Sequence, residues 1–459
     1  MNSGATSFDV RIWKIRTYTG SRGKTYTIRW TVAGQEWRDT FKTYALADSA
    51  RGELLSAARN GEAFNVATGY PISKSAQRAD QSWFDFACRY VDLKWPNAAG
   101  NTRKGIAETL TSATPALLAS ERNRPGDEVI RHALRGWAFN ARTRAAGEPE
   151  DENQAAAIRW LRRNTVPVST LAQPATLRAT LDLLARKLDG TAAAGSTVRR
   201  KRAVLHNALE YAVELGVLAS NPMAALKWTA PKVTEVVDHR VVVNPKQARQ
   251  LLNAVGLQGR TGRHLIAFFG AMYYSGLRPG EAANLRETSL ELPDKEGWGQ
   301  LVLSRSAPTT GASWSDSGKR RDERQLKHRA TEDVRVVPCP PQLVLLFRAH
   351  LTEFGTDSEG RLFRGAREGQ LSESVYSRAW QKARETVFSA AQVASPLAGR
   401  PYDLRHAAVS TWLGGGVEAT RVAEWAGHSV AVLLRVYAKC IDGQENAARK
   451  RVEAALRAD

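Results

Sequence analysis

Residues 401–437 read PYDLRHAAVSTWLGGGVEATRVAEWAGHSVAVLLRVY. The apolar positions after Arg405 recur at helical spacing until three consecutive glycines stop the helix. A second short helix ends at Gly427, and an apolar segment then follows that would hold a third helix against the core. That segment contains Leu433, Leu434 and Val436. The stretch therefore predicts a series of short helices in a mainly helical domain.

Three side chains of this stretch stand where they can meet a ligand. Arg405 lies in the first turn of its helix, where unpaired backbone amides favour a bound anion. His428 follows the glycine that ends the second helix, and Tyr437 comes nine residues later. An imidazole at that place can donate a hydrogen bond to a phosphate oxygen. Taken singly, each residue also has an ordinary explanation, such as a salt bridge or a helix cap.

A second segment far upstream, GLRPGE at residues 276–281, predicts a tight junction between two helices. Arg278 lies between two glycines there, and a guanidinium fixed at such a junction can grip two phosphate oxygens. We interpret Glu281 as a carboxylate that orients Arg278, and a purely structural ion pair is the alternative. The two segments together predict arginines that meet one tyrosine over one phosphate.

In their order and spacing, these residues resemble the tyrosine recombinases, also called the phage integrase family. The resemblance covers about residues 80–445. It implies an enzyme that cleaves and rejoins DNA through a covalent 3′-phosphotyrosyl intermediate without ATP or metal, and that integrates or excises a mobile element. The implied catalytic residues are Tyr437 as the nucleophile, with Arg278, Arg405 and His428 on the phosphate oxygens.

The resemblance also implies the partners of the protein. These are double-stranded DNA with specific attachment sites, a homotetramer on two synapsed DNA sites, and an accessory factor that sets direction. No cofactor is implied. A location in the cytoplasm, associated with the nucleoid, is expected.

Tyr402 marks a departure from the family pattern. The family usually has a histidine three residues before the arginine of this motif, and here that position is tyrosine. A phenol with a pKa near ~10 is a poor proton acceptor at neutral pH. We expect Tyr402 to hydrogen-bond a phosphate oxygen, and we do not transfer the histidine's role to His406, because the register does not support it.

Lys327 is our choice for the general acid that protonates the leaving sugar oxygen. The alternating valines before Pro338 predict the return strand of a hairpin whose tip carries this lysine, and the family places its catalytic lysine there. A long polar insert precedes it, so Lys319 is the rival.

The fold class that we predict is multi-domain and mainly α. A small three-stranded sheet with a helix, at residues 8–60, looks like an arm-type DNA-binding domain, and a small sheet domain with ordinary surface charge is the alternative. A helical core-binding domain is expected at 79–228 and a mixed, mainly α catalytic domain with a small sheet at 240–445. The tail at 446–459 either docks on a neighbouring protomer or frays.

Basic residues of the first two domains are our candidates for further DNA contacts. In the first domain they are Arg11, Lys14 and Arg29. In the second, Ser196 and Thr197 are predicted to cap a helix whose first turns carry Arg199, Arg200, Lys201 and Arg202. Basic groups there oppose the helix dipole, which favours a role with a partner, although a solvated surface is the common explanation for a charge run.

Bulk composition agrees with a polyanionic partner. The 459 residues include 66 Lys and Arg against 46 Asp and Glu, which leaves a formal charge of +20. Such an excess favours nucleic acid through counterion release, although ribosomal, RNA-binding and membrane-surface proteins share it. The three cysteines have neither disulfide nor zinc-site spacing, and the longest apolar run, residues 265–274, is too short to span a bilayer.

Three other functions remain open at this stage. A type IB topoisomerase would use similar residues to relax DNA, and a DNA-binding regulator with decayed catalytic residues would explain Tyr402. A metal-dependent transposase or nuclease would need clustered carboxylates, and the sequence offers no such cluster.

Overall fold

The computed structural model describes residues 5–20, 23–73, 81–231, 236–326, 333–365 and 369–441, with 449, 452–453 and 456–457 of the tail. The chain divides into two compact units, one of residues 1–98 and 102–232 and the other of residues 99–101 and 233–459. The fold is mainly helical with small sheets, which confirms the predicted class. Within the described ranges, no helix combines the length and apolarity needed to cross a bilayer.

A twisted antiparallel sheet begins the first unit. Its strands are Val10–Ile12, Arg16–Gly20, Gly23–Val32 and Gln35–Phe41. The first two pair with the same edge of the long third strand and the fourth pairs with its other edge, so the sheet is three strands wide. Ala33 and Gly34, both with positive φ, form the tight turn that joins the last two strands.

Successive side chains of the long central strand, Gly23–Val32, point to opposite faces of this sheet. Ile28, Trp30 and Val32 are buried on the face that packs with the helix Tyr44–Arg59. After this helix, Phe64–Asn65 pairs with Thr6–Ser7, and Phe64 is buried. Residues 74–80 lie outside the described residues.

The rest of the first unit is helical. Its α-helices are Trp83–Lys94, Gly100–Ala113, Asp127–Ala133, Ala141–Ala145, Glu152–Asn164, Pro174–Leu184 and Gly195–Glu214. Shorter turns of 3₁₀ or π helix lie at Thr114–Leu117, Leu134–Ala138 and Val168–Ala172. The aromatic side chains at the start of the helix Trp83–Lys94 are buried, whereas Leu188 lies beyond the helix Pro174–Leu184 and is exposed.

The helix Gly195–Glu214 begins one residue before the predicted caps. Its N-cap is Ala194, so the prediction that Ser196 and Thr197 cap it is wrong. Gly216 follows the helix with φ +71° and ends it, because glycine adopts this conformation without a steric penalty.

The second unit contains most of the remaining helices. The α-helices are Pro245–Gly256, Gly259–Tyr274, Pro279–Ala282, Pro341–Phe354, Glu373–Val387, Ala390–Ala394, Asp403–Gly414, Ala419–Ala426 and Val430–Ile441. Single 3₁₀ turns lie at His239–Val241, Glu287–Ser289 and Ala312–Trp314. Asn244 and Gln247 form a capping box at the first of these α-helices, and the apolar run at 265–274 lies in a buried helix.

A small sheet lies against these helices. Gly299–Leu303 pairs antiparallel with Arg335–Cys339 on one side and with Leu290–Glu291 on the other. The short strands Arg305–Ser306 and Arg324–Gln325 pair separately. The predicted pairing of the return strand is therefore present, whereas residues 327–332, which include Lys327, lie outside the described residues.

Candidate active site

Glu281 is the centre of the site. Its side chain is 2% exposed and accepts hydrogen bonds from Arg278, at 2.8 Å from Nη1 to Oε1, and from both Nη atoms of Arg335, at 3.0 and 2.7 Å. Nη1 of Arg405 lies 3.9 Å from Oε2. Burial opposes ionisation, but Arg335 and Arg278 outweigh it and hold the pKa of Glu281 well below its usual range. One carboxylate therefore faces three guanidiniums.

Arg278 is fixed at the helix junction that the sequence predicted. Gly276 turns the chain with φ +59°, and the backbone amide of Arg278 also donates to Glu281 Oε2 at 2.8 Å. Its Nη2 donates to the Gly427 carbonyl at 3.2 Å, which links this junction to the segment before His428. Burial tends to lower the pKa of Arg278, whereas Glu281 and the Tyr402 phenol raise it, and the net shift is upward. Arg278 and Tyr402 therefore lie in one cluster.

Arg335 is a residue of the cluster that sequence reasoning missed. It is 2% exposed at the start of the return strand, and a Cβ atom on Gly427 would come within 2.5 Å of its Nη1. Glycine at position 427, in the left-handed region with φ +61°, thus allows the strand and the helix end to approach each other. The available signal was an arginine at an inward position of a valine-rich strand.

Arg405 is completely buried in the first turn of Asp403–Gly414. It donates to the carbonyls of Gly276 and Ala426, and its Nη2 lies 3.0 Å from Nε2 of His428. Asp403 pairs with Arg400 instead of Arg405, so the simple salt-bridge explanation for Arg405 does not hold. Burial, followed by the charge of Arg278, lowers the pKa of Arg405.

His428 follows the helix Ala419–Ala426, as predicted. Burial and the nearby guanidiniums of Arg405 and Arg278 lower its pKa to about 3, so the ring is neutral at pH 7. Because a guanidinium only donates, Nε2 of His428 accepts from Arg405 and the ring proton is on Nδ1. That Nδ1 is buried and has no partner among the described residues, and neither has Nε of Arg405 or Nε of Arg335.

Tyr437 is 1% exposed and lies against this cluster. Its ring stacks on the ring of His428, with the centroids 6.2 Å apart and the planes at 28°. The helix Val430–Ile441 is kinked at Tyr437, whose φ and ψ of −110° and 15° are not helical. Leu433 of the predicted apolar patch is buried, whereas Leu434 is exposed, so that patch is smaller than predicted.

His406 also contacts Tyr437, although sequence reasoning gave it no role. Its Nδ1 lies 2.8 Å from the Tyr437 hydroxyl, and the two ring centroids are 5.7 Å apart. The Tyr402 ring meets the His406 ring edge to face at 5.1 Å. No spacing rule relates positions 406 and 437, so only the fold reveals this contact.

Of the two candidate lysines, Lys319 is the one within the described residues, and it lies away from the Glu281 cluster. Lys319 lies on an open cavity of about 610 Å³, with its Nζ 3.8 Å from Glu359 Oε1. Lys327 is outside the described residues. Among those residues, no group of three or more histidine, cysteine, aspartate or glutamate side chains is placed to hold a metal ion.

The candidate DNA contacts of the first unit lie on two surfaces. Arg11 and Lys14 are exposed on the sheet, and the guanidiniums of Arg11 and Arg29 lie 5.8 and 5.7 Å from the Trp13 ring. In the other group, Arg199 and Arg200 are exposed, whereas Lys201 and Arg202 are half-buried.

Lys201 makes a hydrogen bond within its own unit. Its Nζ donates to Ser112 Oγ at 3.1 Å, and burial lowers its pKa. Part of the predicted basic cluster at residues 199–202 therefore has a packing role.

Comparison with known proteins identifies the class to which this site belongs. Residues 242–442 match the model of the phage integrase family. The tyrosine recombinases XerC of Brucella suis biovar 1 (strain 1330) and of Brucella melitensis biotype 1 are each 29% identical over 137 residues, which is 30% of this chain and 41% of theirs. The chain thus matches about two fifths of the length of these curated relatives.

Solved structures with a similar fold include two DNA complexes. The Tn1549 transposon integrase bound to a circular intermediate DNA is 14% identical, with a TM-score of 0.48, and the match covers 68% of this chain and 96% of that one. The lambda integrase dimer bound to a COC′ core site is 12% identical, with a TM-score of 0.45 and coverage of 94% and 95%.

Proposed function

We propose that this protein is a site-specific DNA recombinase that cleaves and rejoins DNA through a covalent 3′-phosphotyrosyl intermediate. The observation that carries the proposal is a set of buried donors without acceptors, beside a buried tyrosine. These donors are Nδ1 of His428 and Nε of Arg405 and Arg335. Buried polar groups in folded proteins nearly always have partners, so such donors indicate a ligand with acceptor oxygens.

Charge identifies the ligand as an anion. The guanidiniums of Arg278, Arg335 and Arg405 surround the single carboxylate of Glu281, so the cluster carries an excess of positive charge. Burying uncompensated charge is costly, and a phosphate group would reduce that cost. The family whose model matches residues 242–442 agrees with a phosphodiester as that group.

The proposed chemistry uses side chains in each role. Tyr437 Oη attacks the phosphorus, and a bond forms between them while the bond to the 5′ oxygen breaks. Arg278, Arg405 and His428 stabilise the charge on the non-bridging oxygens, and Lys327 is proposed to protonate the 5′ oxygen. Because the new link is itself a phosphodiester, a 5′ hydroxyl of a partner strand reverses the step without ATP.

The wider assembly is proposed on the same basis. DNA with specific attachment sites is the substrate, and four protomers synapse two such sites. Integration or excision of a mobile element is the proposed outcome, with an accessory factor that sets direction. The predicted domain limits at 8–60, 79–228 and 240–445 complete the proposal, with the first two as DNA-binding parts.

A nicked suicide duplex tests the proposal. It would carry DNA from the junctions of the element that encodes the protein. The short fragment that carries the free 5′ hydroxyl would diffuse away after cleavage. We expect a covalent protein–DNA adduct that forms in the presence of chelator and is abolished in Tyr437→Phe. Tyr376→Phe, a buried tyrosine on another helix, is the matched control and should retain the adduct.

The products distinguish this function from its rivals. Recombinant molecules made from two junction DNAs would support a recombinase, whereas relaxed plasmid without recombinants would indicate a topoisomerase. Sequence-specific binding without any adduct would indicate a regulator. Loss of cleavage in chelator would indicate a metal-dependent enzyme.

A further inference from the structure

The hydroxyl of Tyr437 has an imidazole nitrogen as a hydrogen-bond partner. Nδ1 of His406 lies 2.8 Å from the Tyr437 oxygen. His406 is one residue beyond Arg405 on the helix Asp403–Gly414, so the same turn that holds the arginine also aims this ring at the phenol. The contact joins two helices, and the two residues that make it are 31 positions apart in the chain.

His428 also touches the Tyr437 ring but is unsuited to take its proton. Its Nε2 accepts from the Arg405 guanidinium, so its Nδ1 carries the ring proton and acts as a donor. Burial and the charges of Arg405, Arg278 and Arg335 lower its pKa and oppose any further protonation. His428 therefore suits a phosphate oxygen, and His406 is the imidazole placed to accept from the nucleophile.

The charges around His406 permit a neutral ring that can receive a proton. Burial is the main influence and lowers its pKa to about 4, and the cations Arg400 and Arg405 act in the same direction. The carboxylate of Asp403 acts against them and would stabilise an imidazolium. The ring is thus neutral at pH 7, with an anion nearby on its own helix. The rings that contact it are those of Tyr402 and Tyr437.

We propose that His406 is the general base for Tyr437, in place of the histidine that the family resemblance leads one to expect where Tyr402 stands. This inference rests on the proposed function. The Oη–H bond of Tyr437 breaks and an Nδ1–H bond forms on His406, while the phosphorus–Oη bond forms. The electron pair of the broken phosphorus–oxygen bond stays on the 5′ oxygen, which the general acid protonates. In the reverse step, His406 returns its proton to Tyr437.

Tyr437 needs a general base because a phenol is a poor nucleophile while it is protonated. An unperturbed phenol with a pKa near ~10 is ionised to only about one part in a thousand at pH 7. A positioned general base typically contributes about 10² to 10⁴ in rate. Tyr402 cannot supply this, because it is itself a phenol.

Single-turnover cleavage of the suicide duplex at saturating protein tests the role. We expect His406→Ala and His406→Asn to cleave about 100-fold more slowly at pH 7, within the range of a lost general base. Their rates should rise about tenfold per pH unit above pH 7, as phenolate forms without help, whereas the native rate stays nearly flat. His239→Ala, at an exposed position, is the matched control and should match the native rate and profile.

A substrate with sulfur in place of the bridging 5′ oxygen separates base from acid. A sulfur leaving group needs no proton, so a variant that lacks the general acid should recover its cleavage rate on this substrate. The His406 variants should stay slow on it, because their defect concerns the nucleophile. Native rates with a native pH profile in folded His406→Ala, or its recovery on the sulfur substrate, would overturn the proposal.

Nuclear magnetic resonance of ¹⁵N-histidine-labelled protein without DNA tests the contact between His406 and Tyr437 without any need for DNA cleavage. We expect Nδ1 of His406 to be unprotonated at pH 7, with a chemical shift that changes in Tyr437→Phe and not in Tyr376→Phe. A protonated Nδ1, or a shift indifferent to Tyr437, would contradict the assignment even if adducts form. If the native protein forms no adduct at all, the proposed function fails, while the spectrum still decides whether His406 accepts from Tyr437.

Discussion

The cations around Glu281 and those at residues 199–202 are held in opposite ways. Arg335 and Arg405 are at most 2% exposed, and backbone carbonyls and one carboxylate fix them. Arg199 and Arg200 are exposed at the start of a helix. A surface charge costs little and adds to affinity for any polyanion, whereas a buried guanidinium is costly unless something needs its position. The first group is therefore suited to chemistry on one phosphate and the second to general attraction of DNA.

Removal of Arg405 should have the largest effect. Arg405→Ala deletes a buried charge from the phosphate site, and we expect suicide-substrate cleavage to fall about 10³-fold, as on loss of a preorganised electrostatic donor. Arg384→Ala is the matched control, because Arg384 is also buried and bonded to carbonyls but lies on another helix. Both variants should lose stability, and only Arg405→Ala should lose cleavage per folded molecule. Equal losses of cleavage would remove the distinction between structural and catalytic arginines.

Glu281 should control stability more than any surface carboxylate. Glu281→Gln leaves three guanidiniums without their anion, and we expect the free energy of unfolding at pH 7 to fall by about 3 kcal/mol. The folded pKa of Glu281 is depressed, so its contribution is present above its unfolded pKa and is lost as pH falls. Urea denaturation should therefore show the difference from native protein shrinking below about pH 4.5.

The control for that experiment is Glu296→Gln, at an exposed position. It should change the free energy of unfolding by less than about 0.5 kcal/mol. If Glu281→Gln were equally mild, the cluster would not depend on its carboxylate.

His428 should contribute to instability in acid. Its folded pKa is about 3, below the unfolded value, so the unfolded state binds the proton first and stability falls as pH drops below about 6.5. The loss is at most about 1.4 kcal/mol per pH unit for one histidine. Thermal unfolding between pH 4 and 7 should show a shallower slope in His428→Gln, whereas His239→Gln should keep the native slope. An unchanged slope in His428→Gln would mean that the ring is not held neutral.

Arg199 and Arg200 should give the smallest effect. Replacing both with alanine should weaken DNA binding evenly across sequences and reduce the slope of log affinity against log salt by up to about 2, or about 0.9 per lost phosphate contact. Cleavage at saturating protein should stay near native. Lys201→Ala should instead lose stability, because Lys201 bonds Ser112 within its unit. A large cleavage defect in the arginine pair would erase the contrast between the two groups.

Local sequence signals predicted the elements that carry the site. The glycines at 276 and 427 marked a helix junction and a helix end, and both have the positive φ that these features require. The apolar run at residues 265–274, too short to span a bilayer, lies in a buried helix. Such features depend on a few neighbouring residues, so they can be inferred without knowing the fold.

Contacts between distant segments were beyond the sequence. Sequence reasoning gave Arg335 no role, and its pairing with Glu281 exists only because the sheet packs beside the helix junction. The histidine's role was not transferred to His406 because the register of the motif did not support it, yet His406 and Tyr437, at a kink in its helix, are in hydrogen-bond contact. The cap at Ser196 was wrong because the helix already starts at Gly195, and boundaries of this kind are set by packing as well as by capping residues.

The most direct test of the account is to map the residue that becomes joined to DNA. Adduct trapped on the suicide duplex would be digested with nuclease and protease, and the modified peptide would be sequenced by mass spectrometry. The account predicts a phosphate-linked nucleotide on Tyr437, attached through its 3′ end. A nucleotide on any other residue, or a 5′ linkage, would contradict it.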